Sequence, residues 1–232
     1  MKVLRGLLDK FEVGARRPLL VRRECVGKIG ARRRVLFASD LHLKRNDRIV
    51  DGLVGIAARE LPDVVLLGGD LVDWRSGLET LELLVRRLSG VAAVCAVAGN
   101  HDRWIGVRQV RDAVVGGGGR WLEDAPWLLS GDCAIYGSRE QAVQAASYHL
   151  LCTHHPVASA RPFDLTLSGH LHGGQFVFYQ RAGRLYPGAF LYRWNGLRFD
   201  DKEGRTLLIS RGVQDTLPFR WNCPREVLMV DI

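Results

Sequence analysis

Five short motifs carry most of the chemistry that this chain could perform. They are Ser39-Asp40-Leu41-His42, Gly68-Gly69-Asp70, Gly99-Asn100-His101-Asp102, Thr153-His154-His155-Pro156 and Ser168-Gly169-His170-Leu171-His172. Carboxylate, imidazole and amide oxygen together form a hard-to-borderline donor set without thiolate. Such a set suits Mn²⁺, Fe or Zn²⁺ in a reactive centre and argues against a structural zinc site. A centre of two metals needs a carboxylate able to bridge them and further ligands from separate loops, with the ions about 3.5–4 Å apart. Each residue alone has a plainer reading. Asp40 could cap a helix, Asp70 could turn the chain, and Asn100 could occupy a left-handed turn after Gly99. A lone histidine is more often packed or solvated than a ligand. The ordered series of five, most of them directly after an apolar run, favours a metal centre built from these motifs over the plainer readings.

The elements that must position these groups follow from apolar periodicity. Arg34–Ser39, Val64–Leu67 and Val91–Ala98 read as buried strands, and Leu19–Val26 as a possible first strand. Ile49–Leu61, Leu78–Leu88 and Trp104–Val115 have helical spacing. Trp121–Leu129 and Ala134–Tyr136 are strand-like, Arg139–Ala146 is expected to be helical, and His149–Cys152 and Leu165–Leu167 are strands. Gln175–Phe178, Thr206–Ile209 and Glu226–Val230 are expected to close the fold. This alternation of β and α predicts an α/β architecture with at least one largely parallel sheet. Functional groups then gather at the carboxyl ends of the strands. The Gly116–Gly119 run is a connection and not a phosphate loop, because no Gly-Lys-Ser/Thr follows. Gln180–Asn195, rich in aromatic residues and arginine, is expected to be irregular, either a lid facing substrate or a surface excursion.

The 232 residues suffice for one sizeable domain. No CxxC pair occurs among the five cysteines, which implies reduced thiols and a reducing, cytoplasmic setting. Neither a secretory signal nor a membrane-length apolar stretch is evident. The net charge of +8 is unevenly placed. Residues 1–34 hold 11 Lys/Arg against 3 Asp/Glu, and the remainder is balanced. We therefore divide the chain into a basic arm, 1–33, and a catalytic domain, 34–232. The arm could meet a polyanion or the inner, anionic face of a membrane, or simply be solvated.

In the order D-x-H, G-D, G-N-H-D, H, G-H-x-H, the motifs resemble the calcineurin-like metallophosphoesterases. Gly169-His170-Leu171-His172-Gly173-Gly174-Gln175 and the tail Ser210-Arg211-Gly212 … Pro218-Phe219-Arg220-Trp221-Asn222-Cys223-Pro224-Arg225-Glu226 resemble the bacterial YkuE/YaeI-like branch. That resemblance implies a two-sheet β-sandwich flanked by helices, a four-layer α-β-β-α fold with metals at one edge. It implies that Asp40, His42 and His172 hold one divalent ion and Asn100, His154 and His170 a second, with Asp70 bridging. It further implies in-line attack on phosphorus by a hydroxide between the metals, with His101 beside the leaving oxygen and Asp102 orienting that imidazole. Mn²⁺ is the expected metal, with Fe or Zn²⁺ as alternatives. His155 falls outside the ligand pattern and is left to a supporting or solvent-facing role. Arg211 and Gln175 are candidates for contacting substrate phosphate, the alternative being loop structure. Many members of that branch begin with a membrane span or export signal, where this chain has a charged arm.

The expected activity is hydrolysis of a phosphodiester or pyrophosphate. Some relatives cleave UDP-2,3-diacylglucosamine, and the basic arm and aromatic loop would suit an amphiphilic, nucleotide-linked lipid of that kind. A non-catalytic scaffold on the same fold is the main alternative, opposed by retention of every motif residue. A nuclease is the other, opposed by the neutral body and the absence of a continuous basic stripe; no obligate nucleic-acid partner is expected. Oligomeric state is not legible.

Overall fold

The computed structural model describes residues 10–13, 17–27, 33–129, 131–158, 160, 162–215 and 217–232. In chain order the strands are β1 (Phe11–Val13), β2 (Leu20–Cys25), β3 (Arg34–Ala38), β4 (Val64–Gly68), β5 (Ala93–Val97), β6 (Arg120–Trp121), β7 (Trp127–Leu129) and β8 (Cys133–Tyr136). The series continues with β9 (Tyr148–Cys152), β10 (Leu165–Ser168), β11 (Val177–Arg181), β12 (Arg184–Pro187), β13 (Arg198–Asp200), β14 (Thr206–Ile209), β15 (Phe219–Trp221) and β16 (Glu226–Asp231). The helices are α1 (Ile49–Glu60), α2 (Leu78–Ser89), α3 (Asn100–Ile105) and α4 (Val107–Gly116).

Two six-stranded sheets dominate, in the orders β2-β16-β3-β4-β5-β6 and β13-β14-β10-β9-β8-β7. In the first, β3 through β6 run parallel and β16 opposes β3. In the second, β8, β9, β10 and β14 run parallel, and both edge strands are antiparallel. Strand alternation divides the apolar residues between two layers. Val35, Phe37, Val64, Leu66, Cys95 and Val97 face inward onto Ile135, Leu150, Cys152, Leu165, Leu167 and Leu208 of the second sheet. Leu36, Val65, Leu67 and Ala96 face outward onto Leu53, Leu81, Leu84 and Val110 of the helices. Both faces of the first sheet are thus covered, which explains why its strands are continuous apolar runs. The outer face of the second sheet carries Tyr136, Leu151 and Phe163 under the following connections.

Several local expectations need correction. Residues 139–146 are not helical. Gln141 Oε1 accepts the backbone N–H groups of Gly137 and Ser138, its Nε2 donates to Leu122 O, and Gln144 N donates to the Tyr136 hydroxyl. Those side-chain bonds satisfy the backbone that a helix would otherwise need. The span from Trp121 to Leu129 is two short strands in different sheets. Gly106, at φ 117°, separates α3 from α4 where one helix was expected. The Gln180–Asn195 loop is largely a hairpin of β11 and β12 followed by a 3-10 turn at Gly188–Phe190. Finally, β2 pairs with β16 along its whole length, so the segment before residue 34 contributes an edge strand to the first sheet. Residues 1–9, 14–16 and 28–32 of the basic arm lie outside the described residues, and so does any membrane contact made by them.

Candidate metal centre

The candidate ligands follow the carboxyl ends of five strands. Asp40 and His42 follow β3, Asp70 follows β4, Asn100 follows β5, His154 follows β9, and His170 and His172 follow β10. The backbone makes sharp turns there: Asp40, His42, Asp70, His170 and His172 all have φ between 43° and 73°. Non-glycine residues avoid this left-handed region, and strain of this kind concentrates at functional sites. Close approach also demands glycine. A Cβ on Gly99 would lie 2.1 Å from Asp70 Oδ1, and one on Gly169 would lie 2.5 Å from Asp40 Oδ2.

The side chains converge as two overlapping groups. Donor atoms of Asp40, His42 and His172 lie within 4.8 Å of one another, as do those of Asp40, Asp70 and His154. His172 Nε2 is 3.5 Å from Asp40 Oδ1. Around His154 Nε2 stand Asn100 Oδ1 at 3.1 Å, His170 Nδ1 at 3.2 Å and Asp70 Oδ2 at 3.3 Å. His154 Nδ1 lies 2.9 Å from Gly68 O, which fixes its tautomer and turns Nε2 to the centre. Asp40 is held by Ser39 Oγ and the backbone N–H of His170, and Asp70 Oδ1 accepts the N–H of His101.

This arrangement fits divalent cations. Asp40 and Asp70 are both buried, and one oxygen of each lies within 4.8 Å of the other and of a His154 nitrogen. His42 Nε2 is buried without a hydrogen-bond partner, because Nδ1 is taken by Asp73 Oδ1 at 2.7 Å. An orphaned buried nitrogen facing two carboxylates is what a metal would satisfy. Titration tells the same story. Burial resists a charge on His154, yet Asp70, Asp40 and Gly68 O draw its pKa up to about 9. Burial likewise opposes ionisation of Asp70, but His154 and the His101 N–H hold it well below the usual carboxylate range. Burial and the neighbouring His154 and His155 push His170 down to about 4.

His101 lies beside this cluster, with Nε2 4.0 Å from Asp70 Oδ2 and its ring 4.8 Å from that of His42. Its Nδ1 is 3.1 Å from Asp73 Oδ1. The expectation that Asp102 orients His101 is therefore corrected. Asp102 points away, fully buried, and accepts the backbone N–H groups of Leu71, Val72 and Gly99. Burial pushes its pKa up to about 6 against those donors. It ties the Asp70 turn to the Asn100 turn, and Asp73 takes the position beside His101.

Arg211 and Gln175 are both engaged within the fold. Arg211 binds the buried Glu226 through Nε at 2.9 Å and through Nη2, and Gln175 Nε2 donates to Leu217 O at 3.0 Å. His155, by contrast, is drawn in: its ring lies 4.0 Å from that of His170, and its nitrogen falls within 4.8 Å of the His154 and His170 donors. Behind His172, Asp215 Oδ1 lies 2.8 Å from Nδ1 without the alignment of a hydrogen bond. Asp215 is gripped in turn by the buried Arg220 at 2.6 and 2.7 Å. Burial opposes its charge, but His172 and Arg220 bring it down to about 2. Asp73, Asp215 and Arg220 were not singled out in sequence. Asp73 had a signal, a second carboxylate three residues after Asp70; Asp215 and Arg220 had only their place in the tail.

A recess of about 470 Å³ opens beside the cluster, bounded by His154, His155, Arg103, Arg139, Glu123 and Glu140. Among the described residues no helix is long and apolar enough to cross a membrane.

A family model described as Calcineurin-like phosphoesterase matches residues 33–174. An uncharacterized metallophosphoesterase of Aquifex aeolicus (strain VF5) is 27% identical over 229 residues, covering 88% of this chain and 86% of that protein. The phosphodiesterase YaeI of Escherichia coli (strain K12) is 26% identical over 222 residues, covering 86% and 82%. An uncharacterized metallophosphoesterase of Campylobacter jejuni is 25% identical over 230 residues, covering 86% of this chain and 59% of that protein.

Proposed function

The chain belongs to the calcineurin-like phosphoesterase family and is a metal-dependent phosphoesterase, and we propose that it hydrolyses a phosphodiester or pyrophosphate at a centre of two divalent metals. Asp40, His42 and His172 would hold one ion and Asn100, His154 and His170 the other, with Asp70 shared between the two groups. The observations that carry this reading are the overlapping groups of Asp40, His42 and His172 and of Asp40, Asp70 and His154, with Asn100 and His170 against His154 Nε2, and a His42 Nε2 that is buried without a partner. The mixed oxygen and imidazole set, without thiolate, favours Mn²⁺, with Fe or Zn²⁺ as alternatives. Such ions, when bound, supply a nucleophilic water at neutral pH and neutralise charge growing on the phosphoryl oxygens.

The chain's own groups complete the reaction. Asp73, within reach of Nδ1 of both His42 and His101, aims the two rings. His101 Nε2 is left to face the substrate, where it donates a proton to the leaving oxygen or stabilises its charge. The recess between Arg103, Arg139 and His155 receives one arm of the ester. A diester or pyrophosphate is favoured over a monoester by that second space and by the likeness to a phosphodiesterase. An amphiphilic, nucleotide-linked lipid such as UDP-2,3-diacylglucosamine is supported by Trp74 and Trp104, large exposed indoles beside Asp73 and His101. All five cysteines are unpaired, which supports a cytoplasmic setting.

The deciding experiment is hydrolysis of bis(p-nitrophenyl) phosphate by metal-stripped protein reloaded with Mn²⁺, Zn²⁺ or Mg²⁺, with metal content measured in parallel. Turnover that follows metal loading is expected, and it falls about 10²–10⁴-fold in His101→Ala. Tight metal uptake without hydrolysis of any ester would point to a binding protein on this fold.

A further inference from the structure

The hairpin of β11 and β12 and the turn after it are built differently from the rest of the surface. Residues 176–199 contain eight aromatic side chains and four arginines, with no Asp or Glu. Five of the eight aromatics are exposed. Phe178 is 66% exposed, Phe190 73%, Leu191 81% and Tyr192 58%. Tyr179 and Tyr186 stack at 4.7 Å and Phe190 meets Tyr186 edge-on at 4.9 Å, so the aromatic row is held in place by its own packing.

The patch adjoins two other features. Its base packs on the 3-10 turn that begins at His172, so it rims the reaction centre. Phe176 bridges Trp221 of β15, and β15 pairs with β1, where Phe11 stacks on Phe219 at 6.3 Å. Residues 11–13 of the basic segment therefore lie at the same edge.

From this juxtaposition we propose that the aromatic hairpin, together with Phe11 and Phe219, docks the protein on an anionic phospholipid surface with the reaction centre beside the contact. Aromatic rings and aliphatic tips partition into the headgroup zone, while arginines bury their stems and keep their guanidinium groups at the phosphate level. Each cation near such a surface adds attraction that falls off with salt. Arg198 is paired with Asp200 and Glu24 just outside the stretch, but a face for an ordinary protein partner or a second copy would carry acidic residues of its own among Arg181, Arg184 and Arg193, and this one carries none. The proposal concerns attachment and stands independently of which ester is cleaved.

Sedimentation with large unilamellar vesicles tests it on the full chain. Vesicles of phosphatidylcholine with about one third phosphatidylglycerol are expected to pellet the protein, and phosphatidylcholine alone far less. The Leu191→Glu/Tyr192→Glu variant, altered only at solvent-facing tips, is expected to bind at least about tenfold more weakly. Its melting temperature and its turnover of bis(p-nitrophenyl) phosphate are expected to be unchanged, so loss of docking is separable from loss of the phosphoesterase centre. Vesicle binding that the variant retains in full would assign attachment to the arm alone and overturn the proposal. So would indifference to phosphatidylglycerol, or a parent dimer in light scattering that the variant dissociates.

Discussion

Asp73 Oδ1 lies 3.1 Å from Nδ1 of His101, and the same oxygen lies 2.7 Å from Nδ1 of His42. One carboxylate oxygen thus fixes the tautomer of a proposed metal ligand and the orientation of the proposed proton donor. Asp73→Asn keeps the shape but replaces the acceptor with an amide. Activity on a soluble diester is expected to fall about 10- to 100-fold, with weaker metal retention. His101→Ala is expected to lose about 10²–10⁴-fold in kcat with metal content intact. Because Asp73 acts partly through His101, the double variant should fall short of the product of the two single losses. Fully multiplicative losses would show that Asp73 does not work through His101.

Metal uptake should release protons. Without metal, His154 is drawn up to about 9 by Asp70, Asp40 and Gly68 O against its burial. It therefore carries a proton at pH 7, whereas a ligand nitrogen must be neutral. Affinity for Mn²⁺ or Zn²⁺ is expected to rise with pH and to level off near about 9, with roughly one proton displaced from His154 at pH 7. His170, pushed down to about 4, is already neutral and adds nothing over that range. Titration calorimetry in buffers of different ionisation enthalpy measures the count, and a count of zero would remove His154 from the ligand set.

The sheet strands and the ligand motifs were legible because each depends on neighbours in sequence. Val64–Gly68 is an apolar run with both faces covered, and Asp70 stands two residues past its end. What escaped was fixed by contacts between distant segments. Asp102 looks like a partner for the adjacent His101, but the turn at Gly99 directs it onto the N–H groups of Leu71 and Val72, about thirty residues earlier. Arg211 looks like an anion fork until Glu226 arrives on β16. Residues 139–146 have helical composition, yet Gln141 and Gln144 bond to the Gly137 backbone and the Tyr136 hydroxyl. The aromatic hairpin lacked regular alternation, so the turn at Ala182 and Gly183 was hidden within an apparent loop.

Asp215 and Arg220 form a buried pair behind His172, and its loss should appear in stability. Arg220→Leu strands the Asp215 carboxylate and is expected to destabilise by about 3–5 kcal/mol. The pH dependence has a definite sign. Asp215 is lowered to about 2 in the folded chain, below its unfolded value of about 3.9. Its contribution is therefore complete above about pH 3.9 and is lost as pH falls towards 2. Asp215→Asn should be less stable at neutral pH and show a smaller further loss between pH 4 and 2. Denaturant unfolding at several pH values checks both, and parallel acid profiles in variant and parent would contradict the pairing.

Arg211 gives the sharpest separation between a substrate contact and a structural one. Its guanidinium and backbone N–H both serve Glu226, which is fully buried and otherwise met by Arg22 at 3.0 Å. Arg211→Ala would leave that carboxylate half-compensated, a loss on the order of 3 kcal/mol. For a chain of this size the loss corresponds to a fall in Tm of about 6–12 °C. If the ion pair is all that Arg211 provides, KM for a soluble diester should change less than about threefold at a temperature where the variant is folded. Arg211→Lys should recover part of the Tm, since a point charge replaces a two-pronged grip. A rise in KM of about tenfold or more with Tm unchanged would return Arg211 to the substrate-binding role that its place in the tail first suggested.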